Sequence, residues 1–152
     1  MKMLNIQQTI TEIENLIIDE TKRAKRPLTK SNFQVIHQPA NSFPKSLPEG
    51  KMAVYCFFYT SNNECLKVGQ ANLKSKARYQ SHHYYIDSGK STLTRSLIND
   101  SNMPMVTSNN WNGWVKANCE RFDVLLDASL GKITLNFIEG LLQYHFKPRY
   151  EW

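Results

Sequence analysis

Ala53-Val54-Tyr55-Cys56-Phe57-Phe58-Tyr59, followed by Thr60-Ser61-Asn62-Asn63 and then Glu64-Cys65-Leu66-Lys67-Val68-Gly69, is the stretch on which the architecture turns. The first run is apolar, rich in aromatic residues and bounded by turn formers, so it reads as a strand with both faces largely covered. Four polar residues reverse the chain. The second run then reads as an antiparallel partner, giving a hairpin with a slightly long connection.

Downstream, Leu73 to about Tyr84 reads as a helix carrying Lys74, Lys76, Arg78, His82 and His83, with Arg78 and His82 four residues apart on one face. Ser91 to Asn99 reads as a short helix with Ser91 as its N-cap and Leu93, Leu97 and Ile98 inward. Asn109-Asn110-Trp111-Asn112-Gly113-Trp114 reads as a loop whose tryptophans are packing anchors. Arg121 to Leu126 is expected to be a third strand, and Asp127 to Gly131 a turn. In the helix that follows, Leu135, Ile138, Leu141, Leu142 and His145 recur at three- and four-residue steps and define the buried face. Glu139 stands at the margin of that face. Taken alone, it reads as the solvated flank of a core helix. Pro148 ends the helix and biases Lys147 toward an extended conformation.

Upstream, Thr9 to Lys25 reads as an amphipathic helix, with Ile6, Ile10, Ile13 and Ile17 at helical spacing and a capping box formed by Thr9 and Glu12. Lys22, Arg23, Lys25 and Arg26 crowd its end. The helix dipole accounts for one or two such cations, and the remainder point to phosphate contact. Pro39, Pro44, Pro48, Asn41, Ser42 and Gly50 mark the segment from Pro39 to Gly50 as a loop. The expected fold is therefore α+β, with a small antiparallel three-stranded sheet flanked by helices and an N-terminal helical extension. Residues 1–50 form the helix and linker, and 51–152 the main domain.

The chain has 152 residues and a formal net charge of +6, which suits one compact domain with an acidic partner such as a phosphate backbone. No apolar run near the N-terminus is long enough for a secretion signal or membrane span, so a cytoplasmic location is expected, with no membrane partner. Three cysteines in no paired spacing indicate neither a disulfide framework nor a zinc site. Cys56 and Cys119 read as core thiols.

In order and spacing, Ala53-Val54-Tyr55, Lys67-Val68-Gly69-Gln70-Ala71, Arg78-Tyr79-Gln80-Ser81-His82, Glu139 and Lys147-Pro148-Arg149-Tyr150 together resemble the GIY-YIG nuclease domain. The resemblance covers the main domain and leaves the N-terminal helix outside it. It implies an endonuclease that hydrolyses DNA phosphodiester bonds, of the restriction, defence or mobile-element kind. Tyr55 would orient or deprotonate the attacking water, Arg78 would stabilise the charged transition state, and His82 would hydrogen-bond near that tyrosine or the phosphate. Glu139 would anchor one divalent cation, Mg²⁺ or Mn²⁺, and Gly69 would allow close backbone approach. DNA contacts would come from Lys22, Arg23, Lys25, Arg26, Lys74 and Lys76.

The chemistry calls for such a set: a positioned water, a base, a Lewis acid on the phosphate and a counter-charge for the developing anion. Two positions depart from the family pattern. Lys67 opens the second motif in place of tyrosine, and Glu151 stands where an asparagine is common. A lysine at position 67 could accept a proton as the neutral amine when desolvated or clamp phosphate as the ammonium when charged; equally, the swap could mark loss of activity. Glu151 is either a substituted supporting group or an unrelated surface residue. The alternative function is thus a catalytically degenerate nucleic-acid-binding module of the same fold. Double-strand cutting by a single-site enzyme needs two active sites, so a homodimer on substrate is expected.

Overall fold

The computed structural model describes residues 3–42, 45–74, 79 and 92–151. Four helices and a four-stranded antiparallel sheet make up the described chain, an α+β architecture. The order along the sequence is α1 (Ile6–Arg23), β1 (Phe33–Gln38), β2 (Lys51–Tyr59), β3 (Cys65–Ala71), α2 (Thr92–Asn99), α3 (Trp111–Asn118), β4 (Cys119–Asp127), a 3-10 turn (Ala128–Leu130) and α4 (Gly131–Phe146). Across the sheet the strands run β1-β4-β2-β3. None of the described helices is long and apolar enough to cross a membrane.

The hairpin read from the sequence forms as β2 and β3, paired from Ala53↔Ala71 to Phe58↔Cys65 with a bulge at Phe57/Phe58. Its central strand is covered on both sides. Met52, Val54, Cys56 and Phe58 join Phe122, Val124 and Leu126 in a core with Ile13 and Ile17 of α1 and Leu135, Ile138 and Leu142 of α4. Ala53, Tyr55 and Phe57 face the other way, toward Leu93 and Leu97 of α2 and Trp111, Trp114 and Val115 of α3. All three cysteines are buried free thiols, and burial pushes that of Cys65 up to about 12.

The sheet has four strands where three were expected. β1 pairs with β4 from Phe33↔Leu126 to Gln38↔Arg121, so residues outside the expected main domain complete its sheet. Phe33-Gln34-Val35-Ile36-His37-Gln38 carries three polar side chains and only a weak alternation; its strand conformation is set by the free edge of β4 beside it. Asn109 to Trp114 also differs from expectation, because α3 begins at Trp111. Asn112 and Gly113 are poor helix formers, but Trp111, Trp114 and Val115 bury one face at helical spacing, and that burial outweighs propensity.

Three local readings change as well. The N-cap of α1 is Asn5, whose side chain accepts from the Gln8 N–H at 2.9 Å; the expected cap Thr9 lies inside the helix and donates its hydroxyl to the Asn5 carbonyl. His145 is exposed, with Nε2 2.7 Å from Glu12 of α1, while Phe146 turns inward edge-on to Phe58. Lys147 ends α4 in the left-handed region, φ 49°, rather than extended. Pro148 disfavours a right-handed helical residue before it, and the left-handed cap lets the Lys147 N–H still reach the Gln143 carbonyl.

That cap redirects the tail along the outer edge of β3. The Arg149 and Tyr150 N–H groups donate to the Cys65 and Leu66 carbonyls at 2.9 and 3.2 Å. Arg149 also donates to Asp100 and Glu64, and the Tyr150 hydroxyl to Asp100, which fastens the tail to the end of α2. The Arg149 guanidinium, then the Asn102 N–H and the Tyr150 hydroxyl, hold the Asp100 carboxyl at about 2. A carboxylate lowered in the folded state contributes stability above its ordinary range, near 4, and loses it as pH falls through the folded value. Tail docking is therefore expected to hold down to about pH 4 and to fail toward pH 2. NMR of the Arg149 Nε–H reads this directly, and an Asp100→Asn variant should show the released signal already at neutral pH.

Candidate active site at the edge of strand β3

Tyr55 lies in the centre of β2, opposite Gly69 of β3 on one side and Asp123 of β4 on the other. Its ring lies flat across Gly69: a β-carbon built there would stand 2.7 Å from both Cζ and Oη of Tyr55. The missing side chain is what lets the phenol reach over the edge strand. Tyr55 is itself only 2% exposed.

Lys67 lies two residues before Gly69, paired with Phe57 on the same face, and its ammonium forms an ion pair with the Glu151 carboxylate. Gln143 of α4 supports that carboxylate at 3.4 Å and also donates to the Val68 carbonyl at 3.2 Å. Glu151 is thus a partner of Lys67 rather than a stray surface residue.

Glu139 stands one helical turn before Gln143, half-buried, on the face of α4 that meets β3. Its Oε1 accepts from the Gln70 side-chain amide at 3.2 Å, and the same amide donates to Asn136 at 2.9 Å. Gln70 pairs with Val54, on the face opposite Tyr55. Tyr55 and Glu139 therefore touch adjacent residues of one edge strand, Gly69 and Gln70, from opposite faces. Glu139 forms no ion pair among the described residues, and no group of three or more His, Cys, Asp or Glu surrounds it there. A single carboxylate with water in the remaining positions fits Mg²⁺ or Mn²⁺, which keep much of their hydration shell.

Arg78, His82 and Lys76 lie outside the described residues, as does Ser91. Of the helix expected from Leu73 to Tyr84, Leu73 and Lys74 form an exposed turn and Tyr79 is helical and buried. Lys74 lies three residues beyond the end of β3, its N–H donating to the Asn72 side chain at 2.8 Å. Lys22, Arg23, Lys25 and Arg26 are exposed at the end of α1, where Arg23 meets Glu20 at 3.5 Å. Lys25 and Arg26 border a cleft against Leu130, Ile133 and Thr134 at the start of α4, at the other end of that helix from Gln143.

Sequence reasoning passed over a buried polar network beside Tyr55. Arg121 and Asp123, 1% and 0% exposed, pair at 2.8 Å along β4. Asp123 also accepts from the Tyr79 hydroxyl at 2.8 Å and from the Gln38 amide. The Arg121 guanidinium lies 5.1, 5.2 and 4.5 Å from the ring centres of Tyr55, Phe57 and Tyr79. The available signal was Arg121 and Asp123 alternating with apolar residues in a strand that is paired along both edges and covered by helices on both faces. No family model, curated protein or solved structure matches the chain, so its own geometry carries the reading of this site.

Proposed function

We propose that the chain is a metal-dependent endonuclease that hydrolyses DNA phosphodiester bonds along the β3 edge, as the GIY-YIG resemblance implies. The observation that carries this reading is that Tyr55 and Glu139 reach consecutive residues of one edge strand, Gly69 and Gln70, from its two faces. Tyr55, reaching over Gly69, orients the attacking water or takes its proton. Lys67 exchanges Glu151 for a phosphate oxygen, a swap of one anion for another at the same ammonium. Glu139 holds Mg²⁺ or Mn²⁺, which when bound supplies a Lewis acid at the phosphate. Lys74 and the basic end of α1 contribute backbone contacts that weaken as salt rises.

Purified protein with plasmid DNA and Mg²⁺ or Mn²⁺ should nick or cut it, and Glu139→Ala should slow cleavage by about 100-fold or more. Cleavage at the same rate in the variant would defeat the reading. Burial of Tyr55 and engagement of Lys67 by Glu151 favour a second reading, a nucleic-acid-binding module of this fold without catalysis. Salt-sensitive DNA binding with no metal-dependent cleavage would select it.

A further inference from the structure

We infer that Arg121 and Asp123 form a buried charged clamp that positions the Tyr55 phenol over the β3 edge; this rests on the endonuclease reading above.

The Tyr55 ring is constrained from both neighbouring strands. On one side Gly69 admits the ring only because it has no β-carbon. On another, the Arg121 guanidinium sits 5.1 Å from the ring centre. Phe57, the cross-strand partner of Arg121, closes edge-on at 5.8 Å. The guanidinium is held in turn, because its Nε donates to Asp123 at 2.8 Å and Asp123 lies directly across the ladder from Tyr55. Tyr79 and Gln38, from outside β2 and β4, fix the second carboxylate oxygen.

Stability alone gives a weak reason to keep such a pair. Removing two charges from water costs several kcal/mol per ion, and well-packed apolar residues of similar volume are often as stable or more so. What the pair provides that apolar side chains cannot is a directional arrangement: a planar cation fixed by a carboxylate with three donors and laid among the rings of Tyr55, Phe57 and Tyr79, of which Tyr55 reaches the edge strand. Arg121 and Asp123 are accordingly positioning residues, acting through Tyr55.

The test compares wild type with the double variant Arg121→Met, Asp123→Leu, which keeps the core filled and leaves no orphan charge. Thermal melting reports folding, Mg²⁺-dependent plasmid cleavage gives kcat and KM, and ¹³Cζ-labelled tyrosine NMR, assigned with Tyr55→Phe, reports the phenol. The folded double variant should lose about 100-fold in kcat with KM changed little, and its Tyr55 resonance should move. Arg121→Lys retains the charge but not the flat guanidinium, and it serves if the double variant does not fold. It should lose about 10-fold in kcat with the same displaced resonance. Unchanged kcat, or a loss confined to KM, in a folded variant would overturn the clamp while leaving the endonuclease reading intact. If wild type does not cleave, the endonuclease reading falls, and the Tyr55 resonance alone decides the clamp: displaced supports it, unmoved overturns it.

Discussion

An Asp123→Ala variant loses about 3–5 kcal/mol of folding free energy, the cost of removing one partner from a buried ion pair. Three donors converge on this carboxylate: Arg121 Nε, the Tyr79 hydroxyl and the Gln38 amide. Truncation leaves a guanidinium that is 1% exposed without its counter-charge and deprives two further buried donors of an acceptor. For a domain whose total stability is about 5–15 kcal/mol, that is a large share. Urea denaturation at neutral pH measures it, and the melting temperature should fall by about 6–20 °C. A loss below about 1 kcal/mol would mean that the pair is not closed in solution. The contrast with the double apolar variant is informative, since that variant removes more polar contacts and is expected to cost less.

Gly69→Ala is expected to cost about 1–3 kcal/mol, because the new methyl group lands 2.7 Å from the Tyr55 ring and the ring has nowhere to retreat. Displacing it drives it toward the Arg121 guanidinium and the edge of Phe57. Glycine is required here for close approach and not for an unusual backbone angle, since among the described residues the positive-φ glycines are Gly50 and Gly131. The two positions should therefore couple. In a Tyr55→Ala background the Gly69→Ala substitution should add little or nothing, whereas Tyr55→Phe should give no relief, because Cζ and Cε2 remain in the path of the methyl group. Equal cost in all three backgrounds would show that the ring contact is not its origin.

Much of the framework was readable from residue pattern. The aromatic run before Tyr59, the turn at Thr60 to Asn63 and the following run forecast β2 and β3, and isoleucines at helical spacing forecast α1, because these signals are local: a strand or helix whose covered faces are marked by its own residues. Arg121 to Leu126 likewise announced β4. Of the patterned residues of α4, Leu135, Ile138 and Leu142 point inward as expected, whereas Leu141 stays half-buried outside that core and Phe146 takes the inward place expected of His145. The bare edge of β4, by contrast, made a strand of Phe33 to Gln38, and burial of Trp111 and Trp114 made a helix of a segment that composition describes as loop.

The candidate site divides in the same way. Tyr55, Lys67 and Glu139 could be nominated from the sequence, since residue type and spacing are properties of the chain. Their surroundings could not. That Glu151 neutralises Lys67, that Glu139 meets Gln70 on the face opposite Tyr55, and that the Arg121 guanidinium, held by Asp123, lies against the Tyr55 ring depend on segments up to 84 residues apart coming together. For the hairpin, β4, α1 and most of α4, the amino-acid order by itself determined which segments bury which faces, because burial periodicity is written there residue by residue. Only the tertiary structure decided which charges meet and which ring is held, because an ion pair or a ring contact exists only at a distance of a few ångströms across elements remote in the chain.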